Sequence, residues 1–292
     1  SAQNSTGMTE VRGSADIIMV PDPTTFKVLP WAPQTGWMLC DLYFRDGRKV
    51  PFATRHICRD ALSRLADAGY AFMTGLEVEF QLTRLDNPRL APEDAGQPAA
   101  PPDVSLTHRG YNYLTELNYD QLEPILDILR QNLQGLGLGL HSMEIEFGPS
   151  QVEMVFKVAE GIQSADDMVL FRSAVKQVCR RHGYHASFMC RPHLHQSLKV
   201  LSSGANAFVP DTPEAPLSDT GLFWLGGLLE HAAAATVFST PTINGYKRYR
   251  PFSLAPDRAI WGMDNRGVML RVISGQNDPA SRIENRVGEP AP

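Results

Sequence analysis

The alternation of apolar and polar residues is most regular between residues 75 and 82. Apolar side chains take every second position from Leu76 to Leu82, and Glu77 and Glu79 stand between them. Because successive side chains of a β-strand point to opposite faces, this pattern predicts a strand with one face against a core. The other face carries two neighbouring carboxylates, which repel each other unless a cation neutralises them. Taken alone, the segment would also suit a surface strand with a solvated acidic face.

Residues 143–156 show the same alternation on both sides of Gly148-Pro149-Ser150, a sequence that favours a tight turn. The pattern predicts a hairpin with acidic side chains on its polar faces. These side chains are Glu144, Glu146 and Glu153. Two shorter segments, residues 193–197 and 282–286, have the same period of two. Their polar faces carry His193, His195 and Ser197 in the first segment, and Arg282, Glu284 and Arg286 in the second.

Five carboxylates and one imidazole from these strands form a candidate metal cluster. Its members are Glu77, Glu79, Glu146, Glu153, His193 and Glu284. Side chains of this kind suit hard divalent cations such as Mg²⁺ or Mn²⁺. Zinc fits less well, since the four cysteines show no paired spacing. For any one of these glutamates alone, a surface salt bridge is a better interpretation than a metal ligand. The prediction of a metal cluster therefore depends on the whole set.

Arginines form a second set, in a chain whose net charge is −5. The set consists of Arg248, Arg266, Arg271, Arg282 and Arg286. The planar guanidinium group matches the oxygen atoms of carboxylates and phosphates. Metal ions beside arginines are what phosphoryl transfer requires, because both neutralise the charge of the phosphates. The alternative is that these arginines form structural ion pairs.

Helical periodicity is found in four segments. They are residues 54–68, residues 120–133, residues 164–182 and a helix that begins at Ser218. Ser164 and Ser218 are predicted N-caps, and Pro124 is predicted to lie in the first turn of its helix. Residues 86–104 are rich in proline, alanine, glycine and aspartate and are predicted to form an exposed loop.

These patterns predict an α+β fold, in which a curved, mainly antiparallel sheet shaped as a half-barrel packs against outer helices. Residues 16–20 and 37–43 are predicted strands near the start of the chain, and Asp46-Gly47 favours a hairpin turn after them. No internal repeat is visible in the sequence.

Composition narrows the classes of function. The 292 residues are 43% hydrophobic, which is enough for a sizeable core in one or two domains. The net acidic charge argues against nonspecific binding of nucleic acid. The longest apolar run, residues 222–238, is interrupted by Glu230-His231, so no membrane span is predicted. The four cysteines are not spaced in pairs, and no signal peptide is visible. Both observations favour a reducing, cytoplasmic location.

Seven segments, each weak by itself, form an ordered set along most of the chain. They are residues 14–22, 76–80, 146–153, 193–198, 244–248, 264–266 and 282–286. The set resembles the glutamine synthetase family. This resemblance implies that residues 1–55 are part of an N-terminal β-grasp domain and that residues 56–292 are a catalytic domain with its C-terminal part and some loops absent. It also implies a homo-oligomer, a dodecamer of two hexameric rings, with active sites between subunits.

The resemblance assigns a role to individual side chains. Glu79, Glu146 and Glu153 resemble ligands of a metal near the acceptor glutamate. Glu77, His193 and Glu284 resemble ligands of a metal that bridges the phosphates of ATP. His195, Ser197 and Arg282 resemble nucleotide contacts. Arg266 and Arg271 resemble phosphate-binding arginines, and Arg248 and Arg286 resemble clamps on substrate glutamate. Tyr111 resembles a tyrosine near the amine pocket.

The chemistry implied by this resemblance has two steps and uses two or three Mg²⁺ or Mn²⁺ ions per site. The γ-carboxylate of L-glutamate attacks the γ-phosphoryl group of ATP and forms an acyl phosphate. An amine then displaces phosphate and leaves an amide. The metals and the arginines stabilise the charge of the transferring group.

The sequence departs from the ammonia-using members of the family at two places. Leu254 stands where a loop glutamate would close over the intermediate, and Gln3 or Asn4 stands where a second acidic group would hold ammonium. A pocket without these charges favours an amine with a hydrocarbon body that is already neutral at pH 7, such as the arylamine aniline. We therefore expect a γ-glutamylamide synthase that uses an organic amine. The alternatives are ordinary glutamine synthesis, with another acid in place of Leu254, and a non-catalytic relative.

A family loop that contains glycine and serine is missing between Phe188 and His193. Either the loop is deleted or the sequence omits it, and the close match on both sides favours omission.

Overall fold

The computed structural model describes residues 8–11, 15–89, 91–188, 192–247, 249 and 255–287. The chain divides into two compact units, residues 1–68 and residues 69–292. The predicted junction between residues 188 and 193 lies outside the described residues at positions 189–191.

The described residues of the first unit form four short strands and one α-helix. They are β1 (Ile18–Pro21), β2 (Lys27–Leu29), β3 (Ala32–Trp37), β4 (Cys40–Tyr43) and α1 (Thr54–Asp67). Strand β1 pairs with β4 and β2 pairs with β3, both antiparallel. Phe44, Val50 and Ala53 are buried together and form a small core. The assignment of this unit to a β-grasp domain remains a prediction.

Two aspartates and two arginines connect helix α1 to strand β4 and to the turn after β1. The guanidinium group of Arg55 lies 2.7 Å from Asp22 and 2.8 Å from Asp41, and that of Arg59 lies 2.7 and 2.6 Å from the same two residues. The Thr24 hydroxyl and Arg55 lower the pKa of Asp22. Burial would raise the pKa of Asp41, but its hydrogen bonds to Arg55 and Arg59 lower it. Both carboxylates therefore remain ionised at neutral pH.

The second unit contains the large sheet and the remaining helices. Its elements are β5 (Tyr70–Leu85), β6 (Val104–Ser105), α2 (Glu116–Gly135), β7 (Leu140–Ile145), β8 (Gln151–Phe156), β9 (Ala159–Glu160), α3 (Gln163–Arg181), β10 (Tyr184–Ser187), β11 (Pro192–Val200), α4 (Asp219–Glu230), α5 (Ala232–Ser239), α6 (Ile243–Tyr246), β12 (Trp261–Met263), β13 (Leu270–Ile273) and β14 (Arg282–Asn285).

The sheet follows the order β12-β13-β14-β11-β5-β8-β7, and β6, β9 and β10 also pair with β5. All of these pairings are antiparallel except that of β12 with β13. Over the described residues the sheet does not close into a barrel. The predicted α+β class with a mainly antiparallel sheet is confirmed.

The alternating strand forms the centre of the core. Val78, Phe80 and Leu82 of β5 are completely buried. The ring of Phe80 packs edge-on against Phe171 of α3, with 6.1 Å between ring centroids. Burial of each such side chain contributes about 1.5–3 kcal/mol. The opposite face of β5 is therefore fixed in position by the packing of its apolar face.

Two of the predicted helix starts are wrong, those of the helices that contain Pro124 and Ser164. Helix α2 begins at Glu116, so Pro124 lies inside it and not in its first turn. The hydrogen bond that Pro124 cannot donate is tolerated because the leucine and isoleucine side chains of this helix are buried around it. Ser164 does not cap α3, since the helix begins one residue earlier and the Ser164 hydroxyl accepts a hydrogen bond from Thr74 at 2.7 Å. Ser218 caps α4 as predicted, accepting from the amide of Gly221 at 3.1 Å.

Helices α4 and α5 are the most apolar part of the second unit. Among the described helices, none is by itself long and apolar enough to cross a membrane. The pair α4 and α5 would satisfy that test by length and composition, but the two helices are bent by 75° at the break between them.

Candidate active site

Strand register places ionisable side chains in rows across one face of the sheet. Glu77 of β5 lies opposite His193 of β11. In the next row, His195 of β11 lies opposite Glu284 of β14, which in turn lies opposite Arg271 of β13. Side chains directly opposite each other in antiparallel strands have Cβ atoms about 4.5–5.5 Å apart. Four strands from three separate parts of the sequence thus supply one continuous polar surface.

A third row is entirely acidic. Glu79 of β5 lies opposite Glu153 of β8, and Glu153 lies opposite Glu144 of β7. The amide of Gln151 donates a hydrogen bond to Glu79, and the Ser142 hydroxyl donates one to Glu144 at 2.8 Å. These neutral donors leave much of the negative charge of the row uncompensated.

His193 lies where the three rows meet. Its Nδ1 atom is 3.0 Å from Oε2 of Glu77 and 3.2 Å from Oε1 of Glu284. Its side chain is almost fully buried, and this burial lowers its pKa, so the imidazole is neutral. Among the described residues, Nε2 of His193 has no hydrogen-bond partner. A buried imidazole nitrogen without a partner is a strong candidate for a metal ligand.

His195 joins Glu77 to an arginine. Its Nε2 atom lies 2.8 Å from Oε1 of Glu77, and Nε of Arg282 donates to its Nδ1 atom at 3.0 Å. Because the arginine can only donate, Nδ1 must accept, and Nε2 must carry the proton that is donated to Glu77. Burial alone would raise the pKa of Glu77, but the hydrogen bonds from His193 and His195 lower it well below its usual range. Glu77 is therefore a carboxylate.

Glu153 is in the opposite situation. Burial, followed by the charges of Glu77 and Glu146, raises the pKa of Glu153 to about 9. Without a cation this side chain holds a proton at pH 7. A divalent ion would supply the positive charge that the acidic row lacks, and would displace that proton.

Glu284 connects the cluster to two arginines. It is completely buried, and its carboxylate lies 3.0 Å from Nη1 of Arg271 and also accepts a hydrogen bond from Nη1 of Arg286. Arg271 bonds Asp264 as well. Arg286 is itself buried, and its Nε has no hydrogen-bond partner in the part of the chain that the structure describes.

The donor atoms have the spacing that a small divalent cation requires. Two groups, Glu77 with Glu153 and His193, and Glu77 with His195 and Glu284, each bring three possible ligand atoms within 4.8 Å of one another. Neighbouring ligands of an octahedral Mg²⁺ site, at 2.0–2.1 Å from the ion, lie about 3 Å apart. Nε2 of His193, the nitrogen without a hydrogen-bond partner among the described residues, lies 3.8 Å from Oε1 of Glu79, within the span of one coordination sphere. Carboxylate and neutral imidazole are also the donors expected for Mg²⁺ or Mn²⁺.

A cavity of about 480 Å³ adjoins this cluster. Glu77, His195, Ser197 and Arg282 line one side, and Phe156 and Val158 are among its apolar walls. Its volume is in the range of sites for small organic ligands and cofactors. The three residues predicted to contact a nucleotide, His195, Ser197 and Arg282, thus share a single cavity.

The remaining predicted residues are less completely placed. Glu146 is half-buried just after β7, and Arg266 and Tyr111 are exposed. The amide of Leu114 donates to the carbonyl of Ile145 at 3.2 Å, which places the loop around Tyr111 beside β7. Gln3, Arg248 and Leu254 lie outside the described residues.

Two participants were not assigned roles from the sequence. His195 is a predicted nucleotide contact, and in addition it bonds Glu77. Gln151 bonds Glu79, and Asp264 bonds Arg271. The period of two indicated that Gln151 shares the face of Glu153, and this was the available signal. For Asp264, only its position two residues before Arg266 drew attention.

Comparison with known proteins agrees with this geometry. The family described as "Glutamine synthetase, catalytic domain" matches residues 52–292. The chain belongs to the glutamine synthetase family. Enzymes of this family use ATP and divalent metals.

Relatives within the glutamine synthetase family differ in the amine that their names specify. A γ-glutamylanilide synthase of an Acinetobacter species is 47% identical over 96% of this chain and 59% of the relative. A glutamate–isopropylamine ligase of a Pseudomonas species is 30% identical, over 94% of this chain and 60% of the relative. A glutamine synthetase of Methanosarcina mazei is also 30% identical, over 98% of this chain and 63% of the relative. The chain thus spans 59–63% of the length of these curated relatives.

Solved structures show the same fold. A GmaS–ADP complex has a TM-score of 0.75 at 29% identity, over 94% of this chain and 63% of that one. A GmaS structure without ligand has a TM-score of 0.77.

Proposed function

We propose that this protein is an ATP-dependent ligase that joins the γ-carboxylate of L-glutamate to an organic amine, with arylamines such as aniline as the preferred class. The buried meeting point of Glu77, His193 and Glu284 is the observation that carries the ligase proposal. The choice of amine is supported by the 47% identity to a γ-glutamylanilide synthase, against 30% for the glutamine synthetase.

The proposed metal ligands are Glu77, His193 and Glu284 for one ion and Glu79, Glu146 and Glu153 for another, with His195 as a positioning group for Glu77. Bound Mg²⁺ or Mn²⁺ would neutralise phosphate charge during transfer. The ionised Glu77 and the neutral His193 are already in the protonation states that ligands need. Glu153 must lose a proton when the ion arrives.

The arginines are proposed to act on the anionic groups of the substrates. Arg271 is held by Glu284 and Asp264, which fixes its guanidinium group beside the cluster. Arg266 is exposed, and it is proposed to hold phosphate together with Arg271. Arg286 has Nε available among the described residues and is proposed, with Arg248, to hold substrate glutamate. Arg282 keeps His195 in one tautomer, and these two with Ser197 are proposed to contact ATP.

The chemistry proposed has two balanced steps. An oxygen of the glutamate γ-carboxylate attacks the γ-phosphorus of ATP, and the bond to the bridging oxygen breaks, releasing ADP. The amine nitrogen then attacks the acyl carbon of γ-glutamyl phosphate, and phosphate leaves with the electron pair of the C–O bond. The amine nitrogen loses one proton, which is taken up by the departing phosphate. An arylamine is already neutral at pH 7 and has no ammonium proton to lose first, so it does not need the acidic groups that Leu254 and Gln3 replace.

The assembly and location are proposals of the same kind. A homo-oligomer built as two hexameric rings is expected from the family alone, and a cytoplasmic location is expected from the unpaired spacing of the cysteines.

A panel of amines tests the proposed function. Full-length protein with saturating ATP, L-glutamate and Mg²⁺ is expected to release ADP with aniline or another organic amine at a kcat/KM at least tenfold above that with ammonium, and mass spectrometry should find the γ-glutamylamide. The reason is that a pocket without carboxylates holds NH₄⁺ poorly. Glu77→Gln serves as the inactive control. Equal or faster turnover of ammonium would contradict the amine preference, and no ADP release with any amine would contradict the ligase.

A further inference from the structure

Arg271 lies between a buried carboxylate and an exposed one. Its Nη1 atom is 3.0 Å from Oε2 of Glu284, whose side chain is 1% exposed. On the other side, Oδ1 of Asp264 accepts from Nε at 2.9 Å and also from Nη2, and the side chain of Asp264 is 73% exposed. The guanidinium group thus joins the interior of the candidate metal cluster to a carboxylate that faces solvent.

The position of Asp264 follows from the parallel pairing of β12 with β13. In this pairing Gly262 lies opposite Arg271, so the residues after β12 come close to the arginine. The amide of Asp264 donates to the carbonyl of Val272 at 2.9 Å. Its φ of 42° lies in the left-handed region, which aspartate adopts more readily than most side chains. The chain therefore turns immediately after β12, and the carboxylate of Asp264 meets the side chain of Arg271.

The bonds to these two carboxylates leave part of the guanidinium group available. Of its five N–H bonds, one on each terminal nitrogen has no acceptor among the residues that the structure describes. Arg266, the other arginine proposed to hold phosphate, follows Asp264 in the same turn. The hydrogen bond from Arg271 lowers the pKa of Asp264, and the charge of Arg266 lowers it further. At neutral pH an ionised Asp264 therefore lies near both of these arginines.

The two carboxylates that hold Arg271 are not equivalent in the metal-bound enzyme. Glu284 is a proposed metal ligand, so its oxygen atoms would be shared between the arginines and a cation. Asp264 belongs to neither of the two groups of possible metal ligands among the described residues. We infer that Asp264 is a positioning residue for phosphoryl transfer, which holds the guanidinium group of Arg271 in place while Glu284 serves the metal. This inference rests on the proposed function.

Substitution by glycine tests this role, because glycine removes the carboxylate and adopts a positive φ without strain. In the full-length protein with an organic amine, Asp264→Gly is expected to lower kcat about tenfold and to leave the KM for ATP within twofold, since Arg271 is then less well oriented toward the transferring group. Asp264→Asn keeps an oxygen that accepts from Nε, and its kcat should stay within threefold of the unaltered protein. The melting temperature of both variants should be unchanged, because the side chain is exposed.

The same substitution in an Arg271→Lys background shows whether Asp264 acts through the arginine. Lysine has no planar fork for Asp264 to hold, so Asp264→Gly should lower the remaining kcat by less than twofold there. Asp257→Ala is the matched control, since Asp257 also pairs with an arginine, Arg258 at 3.7 Å, and both side chains are exposed. It should leave kcat unchanged.

Two results would overturn the role of Asp264 and leave the proposed ligase intact. One is an unchanged kcat in the Asp264→Gly variant. The other is a loss of equal size in the presence and absence of Arg271, which would show that Asp264 acts independently of it. Failure of the unaltered protein to release ADP with any amine would instead overturn the proposed function, and this inference with it.

Discussion

Glu284→Ala is expected to lower the free energy of unfolding by about 3–5 kcal/mol and to remove measurable ligase activity. Glu284 is completely buried and its carboxylate contacts the guanidinium groups of Arg271 and Arg286 and the imidazole of His193. Removal of this carboxylate leaves positive charge in the interior without its partner, which is far more costly than the loss of a surface ion pair. Urea unfolding measures the first effect, and ADP release in the presence of an organic amine measures the second.

Glu160→Ala is the control for this experiment. Glu160 also pairs with a cation, Lys199, but both side chains are substantially exposed. Its removal should change the free energy of unfolding by no more than about 1 kcal/mol. If the two variants were equally stable, the cluster around Glu284 would not be the buried ionic centre described above.

Addition of Mn²⁺ or Mg²⁺ to metal-free protein is expected to raise the melting temperature by about 5–10 °C at a concentration one hundred times the Kd. The ion binds the folded state, where it relieves repulsion among the glutamates. The same titration should release protons at pH 7, because the pKa of Glu153 is raised to about 9 and a ligand carboxylate must be ionised. The affinity should accordingly increase as the pH rises toward about 9, since less work is then needed to remove that proton.

Glu153→Gln should abolish this proton release and weaken the binding of metal, as followed by calorimetry in two buffers of different ionisation enthalpy. Glu144→Gln is the matched control, since Glu144 is opposite Glu153 in the same row but is not a proposed ligand. It should retain metal binding. Proton release of equal size from the Glu153→Gln variant would show that another group holds the proton.

The sequence was sufficient to predict which face of a strand each side chain occupies. It was not sufficient to predict which strands pair with each other in the sheet. The period of two placed Glu77 and Glu79 on one side of β5, because alternation follows directly from strand geometry. It could not show that His195 bonds Glu77, since this contact depends on the register between β11 and β5 across more than one hundred residues. The ordered resemblance to a family supplied the grouping that the pattern could not.

Local signals were reliable where packing did not oppose them. Ser218 caps its helix because its hydroxyl has no stronger partner than the amide of Gly221 and the carbonyl of Ala207. Ser164 has the same chemistry, but it is buried and bonds Thr74 of β5 instead. Pro124 likewise lies within a helix whose apolar side is buried. Tertiary contacts decided these two cases, and they are not visible in a short window of sequence.

The location of bound cations tests the central claim most directly. Crystals of the full-length protein grown with Mn²⁺ and a nonhydrolysable ATP analogue should show anomalous density at the manganese edge beside Glu77, His193 and Glu284, with a second peak near Glu79, Glu146 and Glu153. The nucleotide phosphates should face these peaks. Anomalous density elsewhere, with these six side chains free of any cation while nucleotide is bound, would contradict the account.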